Sequence, residues 1–372
     1  MKLIEFIKQN PNWRELLSQA PYSIEIKEDG NYILFKYNQI ESKFSNPDIY
    51  PLLKECRGLI LHKSDYHIVS HRFDKFWNIQ EQLADKIDWS TAKVQEKIDG
   101  SLISLQWDGS WFLSTNGTIF AEKAKCGIYE DNFGDLFKQT FKIKYDIDIY
   151  EYAENKLNKN YTYIFEFTHP LSRVVVVYEP NIYHTGTRDN ISGQELSIDI
   201  GIPKPKEYKF NSIEDVIEIT KSLPWSFEGY VIVDSNYNRV KVKGASYLAM
   251  AHLKGENGLS YRHILEVVSK GEKNEVLAVF PEYTKYFDFV ETAYNKYIEN
   301  VERDLQTVWN KFYPTKKDYA LEVLKMTCSD FMFKVYDNKY ERNQFKEYLN
   351  DLGSKKVIEN LKIKENKISE EI

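Results

Sequence analysis

The pattern of apolar and polar positions changes character near residue 245. Before that point, short apolar runs are separated by turn signals, as in EIKEDGNYILF and QEKIDGSLISLQWDGSWF, which predicts antiparallel strands. After it, apolar residues recur every three or four positions, as in YTKYFDFVETAYNKYIENV, which predicts helices. The first 20 residues predict an amphipathic helix that is interrupted at Pro11. Residues 120–158 and 212–223 predict further helices between the strands.

This change predicts an α+β chain with two domains. The first domain, residues 1–245, is expected to combine antiparallel sheets with flanking helices. Its later strands are predicted at YTYIFEF, RVVVVYE and NIYHTGTRDN, and EGYVIVDSNYNRVKVKG predicts a hairpin. The second domain, residues 246–372, is expected to be all-α.

Composition narrows the class of protein without identifying a function. A 372-residue chain with 42% hydrophobic and 28% charged residues is typical of a globular protein. The net charge of −6 excludes a protein that coats nucleic acid by bulk charge, although 50 Lys and Arg residues allow a local basic cleft. Three widely spaced cysteines predict neither a disulfide framework nor a cysteine metal site. With no signal-peptide pattern and no long apolar run, we expect a cytoplasmic protein.

The tetrad Lys-x-Asp-Gly occurs twice, at Lys27 and at Lys97, and each copy predicts a hairpin turn. A lysine on a rigid strand can also attack phosphorus if its pKa is lowered and the phosphate charge is neutralised. Arginine, lysine and glutamate residues inside apolar strands precede and follow Lys97 in the sequence. No such series completes a site around Lys27. Lys97 is therefore the candidate nucleophile, and Lys27 is interpreted as a solvated lysine beside a turn.

The polar residues occur in short motifs: ECRGLIL with Arg57, RFDKFWN with Lys75 and Trp77, KIDGS with Lys97, IFEF with Glu166, EGYVIV with Glu228, VKVKG with Lys241 and Lys243, and SYLAMAH with Tyr247. Each motif alone is more simply interpreted as an exposed strand face or a turn. In this order they resemble the motifs of the covalent nucleotidyltransferases, the superfamily of ATP-dependent ligases and capping enzymes. From about residue 50 to 250 they are most similar to the RNA ligase 1 type of T-even bacteriophages.

The resemblance implies an ATP-grasp-like nucleotidyltransferase domain and the activity of an ATP-dependent RNA ligase. Lys97 would attack the α-phosphate of ATP and form a lysyl-AMP intermediate. The AMP would then pass to an RNA 5′-phosphate, and a 3′-hydroxyl would displace it to seal the strand. The cofactors would be ATP and Mg²⁺, with Mn²⁺ as a substitute. We expect a monomer that repairs RNA, such as a cleaved tRNA loop, with the helical domain selecting the RNA.

The resemblance also assigns roles around the nucleotide to six residues: Arg57, Lys75, Trp77, Glu166, Glu228 and Tyr247. The two basic residues would contact phosphates, and the two aromatic residues would pack on the nucleotide. Glu166 would accept a hydrogen bond from the ribose. Glu228 would place Mg²⁺, with Glu166 as a second candidate ligand.

Three further expectations concern the immediate surroundings of Lys97. Lys241 and Lys243 alternate along one strand, so they would share a face and bind phosphates. As cations close to Lys97 they would favour its neutral form. Asp99 and Gly100 would shape the loop, with Gly100 supplying a positive φ.

Two other functions remain open from the sequence. A DNA ligase or capping enzyme of the same superfamily usually continues into a β-rich OB domain, whereas this chain continues with a helical pattern. A non-catalytic RNA-binding protein could retain the nucleotide cleft but would not need the whole set of charged residues. Covalent labelling by ATP distinguishes a catalyst from such a protein.

Overall fold

A computed structural model describes residues 1–39, 41–126, 132–254 and 259–364. The chain divides into two compact units, Met1–Ala249 and Met250–Ile372. The first unit combines antiparallel sheets with helices, and the described residues of the second unit form helices. The structure therefore confirms the α+β fold class.

The strands are β1 (Ile24–Asp29), β2 (Tyr32–Tyr37), β3 (Arg57–His62), β4 (Ile68–Ser70), β5 (Trp77–Asn78), β6 (Lys93–Glu96), β7 (Ser101–Trp107), β8 (Trp111–Thr115), β9 (Tyr161–Thr168), β10 (Asn181–Asp189), β11 (Glu195–Leu196), β12 (Glu207–Tyr208), β13 (Gly229–Val233) and β14 (Arg239–Lys243). The helices before the unit boundary are α1 (Lys2–Gln9), α2 (Trp13–Ser18), α3 (Tyr50–Glu55), α4 (Phe133–Tyr145), α5 (Ile149–Lys156) and α6 (Ile213–Lys221). Helix α7 (Ala245–Lys254) contains the boundary. The helices after it are α8 (Tyr261–Lys270), α9 (Lys273–Val279), α10 (Thr284–Trp309), α11 (Lys316–Val323), α12 (Ser329–Tyr336), α13 (Phe345–Leu352) and α14 (Ser354–Asn360).

Sheet 1 contains strands β1 to β4 in sequence order, and neighbouring strands are antiparallel. Strands β1 and β2 form the hairpin that the first Asp-Gly pair predicts, with Gly30 at a φ of 56°. One face of the sheet packs against α1, α2 and α3 through a core that includes Trp13 and Leu53. Helix α3 lies where the pattern predicted strands, and Pro51 stands in its first turn, where proline is tolerated.

Sheet 2 has the order β11-β10-β9-β7-β8 and packs against α4 and α5. The predicted strand RVVVVYE, residues 173–179, is wrong, because this segment is irregular. The backbone N–H groups of Val175 and Val176 donate to the carboxylate of Asp99 instead of to a neighbouring strand. The apolar run therefore forms a loop held by a side chain.

Sheet 3 has the order β12-β6-β13-β14-β5 and packs against α6. The predicted hairpin of β13 and β14 is confirmed. The predicted hairpin at Asp99-Gly100 is wrong, because β6 belongs to sheet 3 and β7 to sheet 2. The segment that carries Lys97 therefore crosses from one sheet to the other.

The second unit is organised around its longest described helix, α10. Val290, Tyr294, Tyr297, Val301 and Leu305 are buried along it at intervals of three or four residues, as the sequence pattern predicted. No helix in the described ranges is long and apolar enough to cross a membrane.

Candidate active site at the edge of sheet 3

Three adjacent strands of sheet 3 bring charged residues to one end of the sheet. The N–H of Lys97, just after β6, donates to the carbonyl of Gly229 at 2.9 Å. The N–H of Gly244, just after β14, donates to the carbonyl of Glu228 at 2.9 Å. Because β13 is antiparallel to both neighbours, the end of β6, the start of β13 and the end of β14 meet at this edge.

The carboxylate of Glu228 joins two lysines at this edge. Its Oε2 atom lies 2.9 Å from Nζ of Lys97, and its Oε1 atom lies 2.8 Å from Nζ of Lys243. The Glu228 side chain is 3% exposed, whereas that of Lys97 is 21% exposed. The nucleophile candidate is therefore held by a buried carboxylate but remains accessible from solvent.

The protonation of Lys97 differs from the sequence-based expectation. Burial alone lowers the pKa of Lys97, but the negative charges of Glu228 and Glu166 outweigh it and raise the pKa above its ordinary value. These carboxylates thus outweigh any repulsion from Lys241 and Lys243, which was expected to favour a neutral Lys97. Lys97 is an ammonium group here and must lose a proton before it can act as a nucleophile.

Asp99 anchors the segment that carries Lys97. Its Oδ2 atom accepts hydrogen bonds from the N–H groups of Val175 and Val176 at 2.8 and 2.6 Å. Its Oδ1 atom accepts a hydrogen bond from the hydroxyl of Tyr247 at 2.6 Å. Burial, together with the charges of Glu228 and Asp99, raises the pKa of Tyr247, so its hydroxyl stays a donor. Tyr247 therefore supports the loop through its hydrogen bond to Asp99. Its predicted packing on the nucleotide stays a prediction.

Gly100 is needed for close approach, and the expectation of a positive φ is wrong. A Cβ atom at Gly100 would lie 2.6 Å from the carbonyl oxygen of Phe167 and 3.1 Å from Cγ of Glu166. The crossing segment thus passes too close to β9 for any larger residue, and this contact fixes Lys97 relative to Glu166.

Replacing Gly100 with alanine is expected to lower covalent labelling by ATP about 10- to 100-fold, because a small displacement of a reacting group is costly. The matched control is Gly117→Ala, since a Cβ atom there meets nothing within 4 Å and needs no unusual φ. The rate of AMP transfer to the protein measures both. Equal rates for the two variants would contradict this role of Gly100.

A pocket beside Lys97 is lined by residues from all three sheets. Arg57 from β3, Glu166 from β9 and Phe76 are among its walls. The guanidinium of Arg57 lies 5.2 Å from the centre of the Phe76 ring, and its buried Nη1 atom has no hydrogen-bond partner. Burial raises the pKa of Glu166 to about 7, although the charge of Lys97 opposes this. The pocket therefore offers a buried cationic donor and a carboxyl group that titrates near neutral pH.

Sequence reasoning missed Arg239, which lines the same pocket. Its two terminal nitrogens lie 3.1 and 2.9 Å from the carboxylate oxygens of Glu195, and its guanidinium covers the ring of Phe73 at 4.2 Å. The signal was present in RVKVKG, because Arg239 alternates with Lys241 and Lys243 and so shares their face of the strand.

The pKa of Lys241 is shifted in the opposite direction from that of Lys97. Burial, followed by repulsion from Lys243 and Lys97, lowers the pKa of Lys241 to about 8. Its Nζ atom lies 5.7 Å from the centre of the ring of Phe76, a residue that lines the pocket. An incoming anion would relieve the repulsion that this lysine experiences.

Lys75 lies in a cage of three aromatic rings and does not contact Lys97. Its Nζ atom is 4.4 Å from the ring of Tyr37, 4.9 Å from that of Phe44 and 4.3 Å from that of Trp77. Trp77 thus packs on Lys75, whereas its neighbour Phe76 lines the Lys97 pocket. The predicted phosphate contact of Lys75 and the predicted nucleotide contact of Trp77 stay predictions.

The other Lys-x-Asp-Gly copy lies on β1, the edge strand of sheet 1, and Lys27 does not line the Lys97 pocket. Lys27 pairs with Leu34 across the hairpin, and its exposed Nζ donates to the carbonyl of Gly117 at 2.9 Å. This geometry fits the interpretation of Lys27 as a lysine beside a turn.

The carboxylates of Glu228 and Glu166 are hard oxygen donors of the kind that Mg²⁺ prefers. Both oxygens of Glu228 already contact lysines, and no cluster of three potential protein ligands occurs here among the described residues. A divalent cation at this edge would therefore be held by one or two carboxylates, with phosphate and water completing its shell.

Comparison with known proteins identifies the family. The family model described as RNA ligase matches residues 55–248. A putative bifunctional polynucleotide kinase/RNA ligase of Autographa californica nuclear polyhedrosis virus is 31% identical over 278 residues, which are 70% of this chain and 39% of that protein. An RNA ligase of Rhodothermus phage RM378 is 26% identical, and the matched region covers 86% of this chain and 88% of that ligase.

Among solved structures, an archaeal ATP-dependent RNA ligase is 14% identical with a TM-score of 0.43, covering 88% of this chain and 78% of its own. The family match includes the motif residues from Arg57 to Tyr247 and thus the whole edge of sheet 3 described above. This chain belongs to the RNA ligase family.

Proposed function

We propose that this protein is an ATP-dependent RNA ligase that joins RNA 5′-phosphate and 3′-hydroxyl ends through AMP linked to Lys97. The observation that carries the proposal is the buried carboxylate of Glu228, which holds Lys97 and Lys243 at 2.9 and 2.8 Å beside the loop anchored by Asp99. A protein that only binds RNA has no need for an accessible lysine fixed in this way.

The reaction would proceed in three displacements at phosphorus. The deprotonated Nζ of Lys97 attacks the α-phosphorus of ATP, so that a P–N bond forms, the bond to the β-phosphate oxygen breaks and pyrophosphate leaves. An oxygen of the RNA 5′-phosphate then attacks the same phosphorus, and Lys97 leaves and regains a proton. Finally the RNA 3′-hydroxyl attacks the 5′-phosphate, loses its proton and releases AMP.

The surrounding residues would stabilise negative charge and orient the nucleotide. Arg57 and Lys241 would bind phosphates, and Glu166 would accept a hydrogen bond from the ribose. Mg²⁺, held near Glu228, would neutralise the charge that develops on the phosphates. Glu228 must release Lys97 for the first step, since a lysine paired with a carboxylate keeps its proton.

We further propose that residues 1–245 carry the nucleotidyltransferase chemistry and residues 246–372 select the RNA. A DNA ligase or capping enzyme gains no support, because the described residues after the boundary are helical and form no β-rich OB domain. The three cysteines are buried and free, which suits a reducing compartment such as the cytoplasm. We also propose that the protein acts as a monomer, since the site residues from Arg57 to Tyr247 all lie within the first compact unit.

A sealing assay with the full chain, ATP and Mg²⁺ tests this proposal. We expect joining of RNA that carries a 5′-phosphate and a 3′-hydroxyl, either as unpaired ends or as a cleaved tRNA loop. RNA without the 5′-phosphate should not react. Joining of a nicked DNA duplex in preference to RNA would contradict the proposal.

The affinity for ATP is expected to fall as the pH rises through about 8, because the pKa of Lys241 lies there in the free protein and only its charged form attracts phosphate. The fall should be at most about tenfold per pH unit, with proton uptake on binding near pH 8. Calorimetry with α,β-methylene ATP, in two buffers of different ionisation heat, measures both quantities. Lys241→Met should bind weakly and without this pH dependence. Constant affinity of the wild type across this range would contradict the assignment.

A further inference from the structure

The second unit carries an aromatic–basic surface formed by Trp309, Phe312, Tyr336, Lys339 and Arg342. The three aromatic side chains are exposed by 54%, 90% and 41% respectively. Two adjoining grooves make up the surface and share Trp309 and Val335 as walls. One groove is mainly aromatic, and the other contains Lys339 and Arg342. Exposed aromatic rings gathered at one place are uncommon on a globular protein and indicate a binding surface.

The charges of this surface are available to a ligand. Arg342 and Lys339 form no ion pair with any residue in the described ranges, unlike Lys311, which pairs with Glu322. The guanidinium of Arg342 lies 3.5 Å from the centre of the Trp309 ring. A guanidinium stacked on an aromatic face keeps its edge N–H groups free, and these match phosphate geometry. The surface therefore places aromatic faces next to unpaired donors for anions.

We propose that this aromatic–basic surface binds an unpaired segment of the RNA substrate, with bases stacking on Trp309 and Phe312 and Arg342 contacting a phosphate. The inference rests on the proposed RNA-joining function and deepens it by giving the second unit a defined contact. Aromatic faces that alternate with cations are the combination that binds single-stranded nucleic acid without sequence preference. Lysine is depleted at interfaces between proteins, so Lys339 favours a nucleic acid over another protein as the ligand.

Fluorescence anisotropy with the full chain and an unpaired RNA of about 12 nucleotides, without ATP, tests the surface. Phe312→Ala and Trp309→Ala are each expected to weaken binding about tenfold, which corresponds to the stacking of one base. Arg342→Gln should lower the slope of log affinity against log salt by roughly 0.7, as expected for one lost phosphate contact on a single strand. Trp309→Ala should leave that slope unchanged.

Two control variants lie on α10, away from the surface. Phe289→Ala removes another aromatic side chain that is 52% exposed, and Lys296→Gln removes an exposed charge. Both should bind RNA as the wild type does. Thermal unfolding of every variant identifies any that fails to fold. Phe312→Ala should change the stability of the protein least, because Phe312 is the most exposed of the three rings.

Unchanged RNA affinity in all three surface variants would overturn the inference. Oligomers that dissociate on Phe312→Ala, with RNA affinity unchanged, would identify the surface as an interface between copies and would equally overturn it. Labelling of the wild type by ATP is measured separately and without RNA. A failure of that labelling would count against the proposed function, whereas the RNA-binding result would still decide the role of this surface.

Discussion

Replacing Lys97 with alanine is expected to abolish the transfer of AMP from ATP to the protein, with a loss on the order of 10⁴-fold or more. The reason is that no other group at the edge of sheet 3 can form the P–N bond from the same position. Lys243 contacts the other oxygen of Glu228, and Lys97 is the lysine that lines the pocket, so neither Lys241 nor Lys243 takes its place. The measurement is the radioactivity retained by denatured protein after incubation with ATP labelled at the α-phosphate. A P–N bond survives alkali and is released by acid, which identifies the linkage.

The matched control for this variant is Lys27→Ala. Lys27 has the same Lys-x-Asp-Gly sequence but lies on the exposed hairpin of sheet 1. Its loss removes a single hydrogen bond to the carbonyl of Gly117, so labelling should equal that of the wild type. Normal labelling of Lys97→Ala, or lost labelling of a folded Lys27→Ala, would contradict the assignment of the nucleophile.

The second large effect is expected for Glu228→Gln, which should slow AMP transfer about 10²- to 10³-fold. Glutamine keeps the shape of the side chain but removes the charge that both lysines contact and that would hold a divalent cation. Lys97 would lose its proton more readily in this variant, because Glu228 is the largest charge that raises its pKa. We expect the loss of lysine alignment and of charge neutralisation on the phosphates to outweigh that gain. Single-turnover rates of labelling at saturating ATP measure the difference.

Glu207→Gln serves as the matched control, because Glu207 lies on β12 of the same sheet and is 50% exposed beside Lys93. An exposed pair of this kind contributes little, so the rate should not change. If Glu228→Gln labelled as fast as Glu207→Gln, the carboxylate would have no part in the first step.

Local sequence patterns were sufficient for several features of the fold and the site. The hairpin of β13 and β14 follows from alternation on both sides of a turn, and the same alternation places Lys241 and Lys243 on one face. The helices of the second unit follow from apolar spacing of three or four residues, as in the buried positions of α10. These features depend on residues close in sequence, which is why the pattern predicted them.

The remaining features depend on contacts between residues distant in sequence. The two Asp-Gly pairs have the same local chemistry, but one closes a hairpin and the other crosses between sheets, because β6 and β7 pair with different partners. The protonation of Lys97 is decided by Glu228, which is 131 residues away. The close approach that requires Gly100 is to the backbone of Phe167. No pattern near Lys97 contains this information.

The same limit explains the aromatic residues of the site. Trp77 occupies the expected motif position, but its ring packs against Lys75 and Phe44. The neighbouring residue Phe76 lines the pocket instead. Because adjacent residues of an extended segment face opposite sides, a shift of one position exchanges their roles. The motif places an aromatic residue near the pocket but does not choose between neighbours.

Mapping the modified residue in the wild-type protein shows whether Lys97 carries the AMP. The full chain is incubated with ATP and Mg²⁺ in the absence of RNA, digested at alkaline pH, and the peptides are sequenced by mass spectrometry. We expect one AMP adduct, on the side chain of Lys97 in the peptide that contains EKIDGSLISL. An adduct on Lys27 or on any other residue, or no adduct on a folded protein, would contradict it.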